Sequence, residues 1–167
     1  MAKADLTAQR LRDLLSYDQT TGEFRWSVRK SNRISIGDVA GNPLSTGYLQ
    51  ICIDGHTHTA HRLAWFYVHG VWPSGQIDHL DGVRTNNAIS NLRDVPAAVN
   101  RQNLRHPKSN NKSSSYLGVT FSRSRQKWVA QIVVDGRNIH IGSFQDEQTA
   151  AKAYVSAKRR LHVGCTI

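Results

Sequence analysis

Hydrophobic and polar positions along the chain alternate between two periods, and the switches mark its elements. Leu6, Leu11, Leu14 and Leu15 recur at helical spacing and predict a short amphipathic helix over residues 6–16. A polar turn, Tyr17-Asp18-Gln19-Thr20-Thr21-Gly22, leads into Phe24-Arg25-Trp26, which alternates as a strand does. Residues 29–46, rich in Ser, Asn and Gly, read mainly as loop. From Tyr48 to Ala60 two β-prone runs flank Asp54-Gly55, a hairpin signal because both turn positions must tolerate positive φ. Residues 61–69 then predict a buried helix ending near Gly70.

Beyond residue 105 the pattern changes. Residues 106–115 contain no large apolar side chain, so they read as a linker between two domains, 1–105 and 116–167. Three strands are expected over 116–122, 127–134 and 137–142, the last two joined by Asp135-Gly136. A helix over 147–161 follows, with Asp146 at its N-cap and Ala150, Ala153, Tyr154, Ala157 and Leu161 on one face.

Charge separates the same two parts. The chain of 167 residues has a formal net charge of +10, but residues 1–100 carry 10 Lys or Arg against 9 Asp or Glu. Residues 101–167 carry 12 against 3. An excess confined to one segment points to a polyanionic partner held there, since each phosphate met by Lys or Arg releases a counterion. Two distant cysteines, Cys52 and Cys165, speak against a disulfide framework and a cysteine-rich zinc site. His56, His58 and His61 near Cys52 alternate on a hairpin without zinc-knuckle spacing, so no structural zinc is expected. The first residues lack an apolar signal segment, and no apolar run is long enough for a membrane span. A soluble cytoplasmic protein is expected.

Residues 76–105 hold the candidate chemistry: Gln76-Ile77-Asp78-His79-Leu80-Asp81-Gly82, then Asn86-Asn87, Asn91 and Asn100. Hydrolysis of a phosphodiester needs an activated water and relief of charge on the phosphate and the leaving oxygen. A histidine of near-neutral pKa can take the water's proton. A hard cation on oxygen donors can supply the charge. A second amide can fix the imidazole's far nitrogen. Read as residue types alone, the Asn and Asp here also suit plain loop chemistry.

The spacing of these residues, with Asn91 12 positions after His79 and Asn100 nine further on, resembles the HNH endonucleases. It resembles in particular the zinc-free class found in phages and among intron-encoded homing enzymes. Tyr17-Asp18, Gly22-Glu23-Phe24-Arg25-Trp26, Gly47-Tyr48 and Ala60-His61-Arg62-Leu63-Ala64-Trp65 look similar too, so the likeness covers most of residues 6–105. That resemblance implies a ββα-metal motif, in which Asp78-His79 end one strand, residues 92–95 form the next, and Pro96 opens a helix carrying Asn100. It implies His79 as general base, Asn91 as the residue positioning it, and Asp78 with Asn100 as ligands of Mg²⁺, Mn²⁺ or another hard divalent cation. Arg62 is read either as a contact to the scissile phosphate or as an ion-pair partner. Arg101 and Arg105 either line the DNA path or form a solvated face.

A second resemblance begins at Tyr116-Leu117-Gly118-Val119 and runs through Lys127-Trp128-Val129-Ala130-Gln131-Ile132, Ile141-Gly142-Ser143-Phe144 and Thr149-Ala150-Ala151-Lys152-Ala153-Tyr154. This segment is similar to an AP2 domain, which implies a three-stranded antiparallel sheet laid on DNA and braced by one helix. Alternation assigns Val119, Phe121, Ala130, Ile132, Ile139 and Ile141 to the helix side. Thr120, Ser122, Gln131, Val133, Asn138 and His140 then face outward, with Arg123, Arg125 and Lys127 within reach of phosphates. Trp128 is read as core packing or as a base contact. Plant members place Arg and Trp where this chain has Leu117, Thr120, Ser122 and His140. A looser sequence preference resting on phosphate contacts is therefore expected.

The expectation is thus an α+β protein of two modules, an HNH nuclease acting on double-stranded DNA and an AP2-like domain that targets it. The resemblance implies a phage-encoded protein acting in a bacterial host. A monomer is favoured, and its single active site makes a nick the natural product. The competing reading is a DNA-binding regulator that keeps the HNH part only as scaffold.

Overall fold

The computed structural model describes residues 6–107 and 113–167. Two compact units divide the chain, Met1–Pro96 and Ala97–Ile167.

In the first unit, α1 (Ala8–Leu14) starts at Thr7, whose side chain accepts from the Arg10 N–H. Such a cap is worth about 1 kcal/mol. The helix stops short of the predicted residue 16. Leu15 is already extended (φ −136°, ψ 139°), opening β1 (Leu15–Tyr17), which pairs antiparallel with β2 (Phe24–Trp26). Fully buried opposite Trp26, Leu15 contributes to the core as a strand residue, and tertiary packing overrides its helical propensity.

A second sheet has the order β3-β4-β5, from β3 (Asn42–Pro43), β4 (Leu49–Ile53) and β5 (His56–Thr59). Its β4–β5 turn holds Asp54 and Gly55 at φ 48° and 82°, as the hairpin signal required. The chain enters α2 (Ala60–His69), which Gly70 ends in the left-handed conformation at φ 73°. Next, β6 (Gln76–His79) pairs antiparallel with β7 (Leu92–Val95), so that Asp78 stands opposite Arg93 and His79 opposite Leu92. Leu11, Leu15, Phe24, Ile51, Leu63, Phe66, Ile77 and Leu92 belong to one buried cluster. Ile77 and Leu92 root β6 and β7 in that core, which fixes the backbone on which Asp78 and His79 stand.

The second unit opens with α3 (Ala97–Gln102). Its sheet, in the order β10-β9-β8, is built from β8 (Val119–Ser122), β9 (Lys127–Val134) and β10 (Arg137–Phe144), all antiparallel. α4 (Glu147–Leu161) packs on one face, capped by Asp146, which accepts from the Thr149 N–H at 2.7 Å. Its buried stripe is Ala150, Ala151, Tyr154, Ala157 and Lys158, rotated from the predicted one. Ala153 is half-buried and Leu161 exposed, because Lys158 turns inward and donates to the Leu104 carbonyl. Among the strand residues assigned to the helix side, Val119, Ala130 and Ile132 are buried and Ile141 half-buried. Phe121 and Ile139 stay 38% and 40% exposed because they lie on the two edge strands, and a bulge at Ile141 shifts the register beside Ile139.

The division at Pro96 falls ahead of the expected linker at 106–115, five residues of which (108–112) lie outside the described ones. Contacts within the second unit explain why α3 belongs there. Gln102 Oε1 accepts from the Gly164 N–H at 2.9 Å, and the Thr166 hydroxyl donates to Asn103. Among the described residues no helix is long and apolar enough to cross a membrane.

Candidate active site

His79 ends β6 and is only 4% exposed. Its Nε2 lies 3.2 Å from the Asn87 carboxamide oxygen. A carboxamide oxygen accepts, so this contact requires the Nε2–H tautomer and leaves the ring's lone pair on Nδ1. Burial holds the imidazole's pKa below its ordinary value; the Asn87 contact and the Asp81 and Asp78 charges oppose this, and the Arg84 charge adds to it. The ring is therefore neutral at physiological pH.

The expectation that Asn91 positions the imidazole meets a different arrangement, because Asn87 makes that contact. Asn91 instead ties down the loop after β6. Its Nδ2 donates to Asp81 Oδ1 at 2.9 Å and to the Asn86 carbonyl at 2.8 Å, while its Oδ1 accepts from the Asp81 N–H at 3.0 Å. Asn86 donates to the other Asp81 oxygen at 2.6 Å. Burial works to raise the Asp81 carboxyl, but the bonds from the Val83 N–H, Asn86 and Asn91, with the His79 charge, hold it below the usual carboxylate range. Asn91 thus fixes the loop that follows His79.

Asn87 is itself held from the N-terminal side of the unit. The Tyr17 hydroxyl donates to its carbonyl at 2.6 Å, and the Ile89 N–H donates to the Gln19 carbonyl at 3.1 Å. Burial, with the Asp18 charge, pushes the Tyr17 hydroxyl up to about 12, so it stays a donor at any working pH. Gly22, at φ 77°, lies so close that a Cβ there would collide with the backbone of Asn87 and Ala88. The predicted polar turn at 17–22 is a bracket for the residue that touches His79. Asn87 is 1% exposed, and its Nδ2 has no hydrogen-bond partner among the described residues.

Asp78 is buried beside His79, and Arg93 across the strand pair holds it. Nε and Nη2 donate to Asp78 Oδ2 at 2.9 and 2.7 Å. A carboxylate has two oxygens and roughly four lone-pair sites, so this pairing is compatible with ligation of a hard cation. Among the described residues there is no group of three or more His, Cys, Asp or Glu that could hold a metal. Asn100, on α3, belongs to the second unit.

Two further rings wall in His79. His61, on the first turn of α2, meets it edge to face at 5.3 Å, and Tyr48 lies 5.9 Å away. The Arg84 guanidinium sits over the Tyr48 ring at 5.0 Å and donates to the Thr46 carbonyl. Burial, then the nearby His79 and Arg62 charges, pulls His61 down to about 4. The sequence reading places Asn87 in the candidate stretch and Tyr48 in the family likeness but gives neither a role, and it does not single out Arg84. The Asn86-Asn87 pair was the available signal, and it looked like loop chemistry. Of the other residues near the hairpin that lack zinc-knuckle spacing, His56 and Cys52 are exposed and His58 stacks on Trp72 at 5.6 Å.

The residues expected to meet DNA fall into two groups. Arg62 is half-buried, 5.8 Å from the Trp72 ring centre with Nη1 on the Gly75 carbonyl, so it braces its own unit. Arg105 donates to Thr166 Oγ1 at 3.0 Å within the second unit, while Arg101 is exposed on α3. In the sheet, register places His140 opposite Gln131, Asn138 opposite Val133 and Ser122 opposite Lys127. Thr120, Lys127, Gln131, Asn138 and His140 are exposed on the face away from α4, and Arg123 and Arg125 are exposed in the β8–β9 turn.

Comparison with known proteins gives the chain a class. Residues 58–102 match the family model described as HNH endonuclease, so the chain carries an HNH endonuclease domain. Over 103 residues it is 32% identical to Protein 3.8 of Escherichia phage T7, covering 61% of this chain and 83% of that protein. The chain belongs to the same family as that phage protein. Over 65 residues the chain is 35% identical to the AP2-like ethylene-responsive transcription factor TOE2 of Arabidopsis thaliana, covering 39% of this chain and 13% of that protein. No solved structure matches the chain.

Proposed function

We propose that the protein hydrolyses phosphodiester bonds of double-stranded DNA, with His79 as general base and a divalent cation as cofactor. The observation that carries this reading is the buried His79 imidazole, neutral, held through Nε2 by Asn87 and placed beside the Arg93-oriented Asp78 carboxylate. With Nε2–H engaged, Nδ1 takes the proton from the attacking water. Asn87 and Asn91 keep the imidazole and its loop in place while that proton moves. A bound Mg²⁺ or Mn²⁺ would relieve charge on the phosphate and on the leaving 3′ oxygen. Asp78 is the ligand the first unit offers it, and Asn100 is assigned as the second on sequence spacing.

Holding DNA falls to the outward sheet face and the β8–β9 turn. Its support is the exposed polar row Thr120, Gln131, Asn138 and His140 with Ser122, and the cations Arg123, Arg125 and Lys127. The similarity to a segment of a plant transcription factor agrees with it. A second reading, DNA binding without cleavage, is favoured by one observation, the Arg93 ion pair on Asp78.

Supercoiled plasmid incubated with the protein in Mg²⁺ or Mn²⁺ separates the two. Nicked or linear product, abolished by EDTA and by His79→Ala, is the expected result. Retained binding with no cleavage in either metal would establish the second reading.

A further inference from the structure

Helix α4 turns Ala150, Tyr154 and Ala157 inward, and its other side carries a groove of about 720 Å³ that the functions above leave unused. Ala151 and Val155, one helical turn apart, give the groove an apolar floor. Ala151 is almost fully buried and Val155 half-buried, so the floor is shallow carbon rather than a row of flexible side chains. Tyr116, 39% exposed, completes the apolar lining. Its segment is clasped to the start of α4, because Glu147 Oε1 accepts from the Ser114 hydroxyl at 2.7 Å and from the Ser115 N–H at 3.2 Å.

Charge along the groove has one sign. Lys152, Arg159 and Arg160 are exposed on it, and among the described residues none that lines it is acidic. Arg159 Nε donates to the Ile167 carbonyl at 3.0 Å, which steadies its guanidinium. A phosphate backbone needs hydrogen-bond donors, and a floor of Ala151, Val155 and Tyr116 offers it mostly carbon. An apolar side chain flanked by carboxylates uses both parts, burying carbon on the floor and pairing its charges with the cations. The C-terminal segment of a second copy is a poor match, since residues 101–167 carry 12 Lys or Arg against 3 Asp or Glu. The groove follows residues 148–160 of α4, about 18 Å at the helical rise per residue, and accepts roughly three turns of a docked helix.

We propose that this side of α4 docks an acidic amphipathic segment of a partner protein, apolar along one side and lined with Asp or Glu beside it. The inference does not rest on the nuclease reading, and none of its tests measures cleavage.

The probe is a fluorescein-labelled amphipathic peptide of about four helical turns, with Leu and Phe on one side and Glu and Asp on the other. Fluorescence anisotropy follows its binding to the whole chain. A control peptide keeps the same charge but has Ser at every apolar position. The amphipathic peptide is expected to bind at least about 10-fold more tightly than the control. Val155→Ser combined with Tyr116→Ala should remove that advantage and leave affinity for a DNA duplex unchanged. Lys152→Gln combined with Arg160→Gln leaves the floor whole and should weaken the amphipathic peptide by about 10-fold. Equal binding of the two peptides, or no binding of either, would overturn the proposal. Equal losses of peptide and duplex in the floor variant would also overturn it and assign the groove to nucleic acid. Should the floor variant fail to fold, unchanged peptide affinity in the charge variant would be enough to overturn it.

Discussion

The strand pair β6–β7 and the sheet β8–β10 are both short antiparallel structures bearing polar side chains, yet they treat those side chains in opposite ways. Around β6 and β7 the polar groups Asp78, His79, Asn87 and Asn91 are buried, and each is held by a named neighbour. Across β8–β10 the polar row is exposed and makes few bonds within the protein. Burial makes a hydrogen bond strong and its loss costly, and it shifts pKa values. Exposure keeps side chains hydrated and available to a partner. One region holds a buried imidazole in place, and the other leaves polar and cationic side chains exposed to solvent. The formal charge follows the same division, nearly balanced through residue 100 and strongly positive beyond it.

The largest effect expected from breaking this contrast is at the base. His79→Ala should lower kcat by about 10²- to 10⁴-fold while DNA affinity stays near wild type, which cleavage kinetics and a binding titration would check together. Loss of binding in proportion to activity would mean that His79 supports the fold and not the chemistry.

Burial of His61 should appear next, as a pH dependence of stability. The folded protein resists protonating His61 until about pH 4, whereas the unfolded chain accepts that proton below its ordinary value of 6.5. Stability from this residue is complete above pH 6.5 and is lost as pH falls toward 4, by about 3 kcal/mol. Urea midpoints across that window should fall with pH in the wild type and fall less in His61→Phe. Equal slopes would show that His61 titrates as an exposed histidine.

Gly22→Ala sharpens the contrast from a distance. A Cβ at this positive-φ position meets the Asn87 and Ala88 backbone, so the variant should be destabilised by about 1–3 kcal/mol and lose activity beyond what its folded fraction explains. Thermal melts and kcat corrected for folded protein would check both. The smallest effects belong to the exposed sheet. Single changes of Arg123, Arg125 or Lys127 to Ala should each weaken binding a few-fold and flatten the slope of log K against log salt by about 0.9. Binding measured at several salt concentrations would show it.

Much of this architecture was legible in the chain because its signals are local. Asp54-Gly55 and Asp135-Gly136 specify their turns through positive φ, and Gly70 and Asp146 mark helix ends. β6, β7 and α3 stand where the Asp-His, Asn and Asn spacing placed them. What sequence did not reveal depends on contacts between distant residues. Asn87 reaches His79 only because Tyr17, Gln19 and Gly22 bracket its backbone, and no spacing rule encodes that bracket. Lys158 lies off the predicted face of its helix, yet it is buried and donates to the Leu104 carbonyl. Arg93 read as a strand residue, and the register made it the partner of Asp78.

The most direct test of the account measures single-turnover cleavage of one DNA duplex at saturating and at low concentration. It compares Asn87→Ala with the triple change of Arg123, Arg125 and Lys127 to Ala. The account predicts that Asn87→Ala slows the saturated rate by about 10- to 100-fold and leaves the half-saturating concentration unchanged. The triple variant should raise the half-saturating concentration and leave the saturated rate near wild type. If both variants lowered the saturated rate and weakened binding together, the division between a buried reacting site and an exposed holding surface would be contradicted.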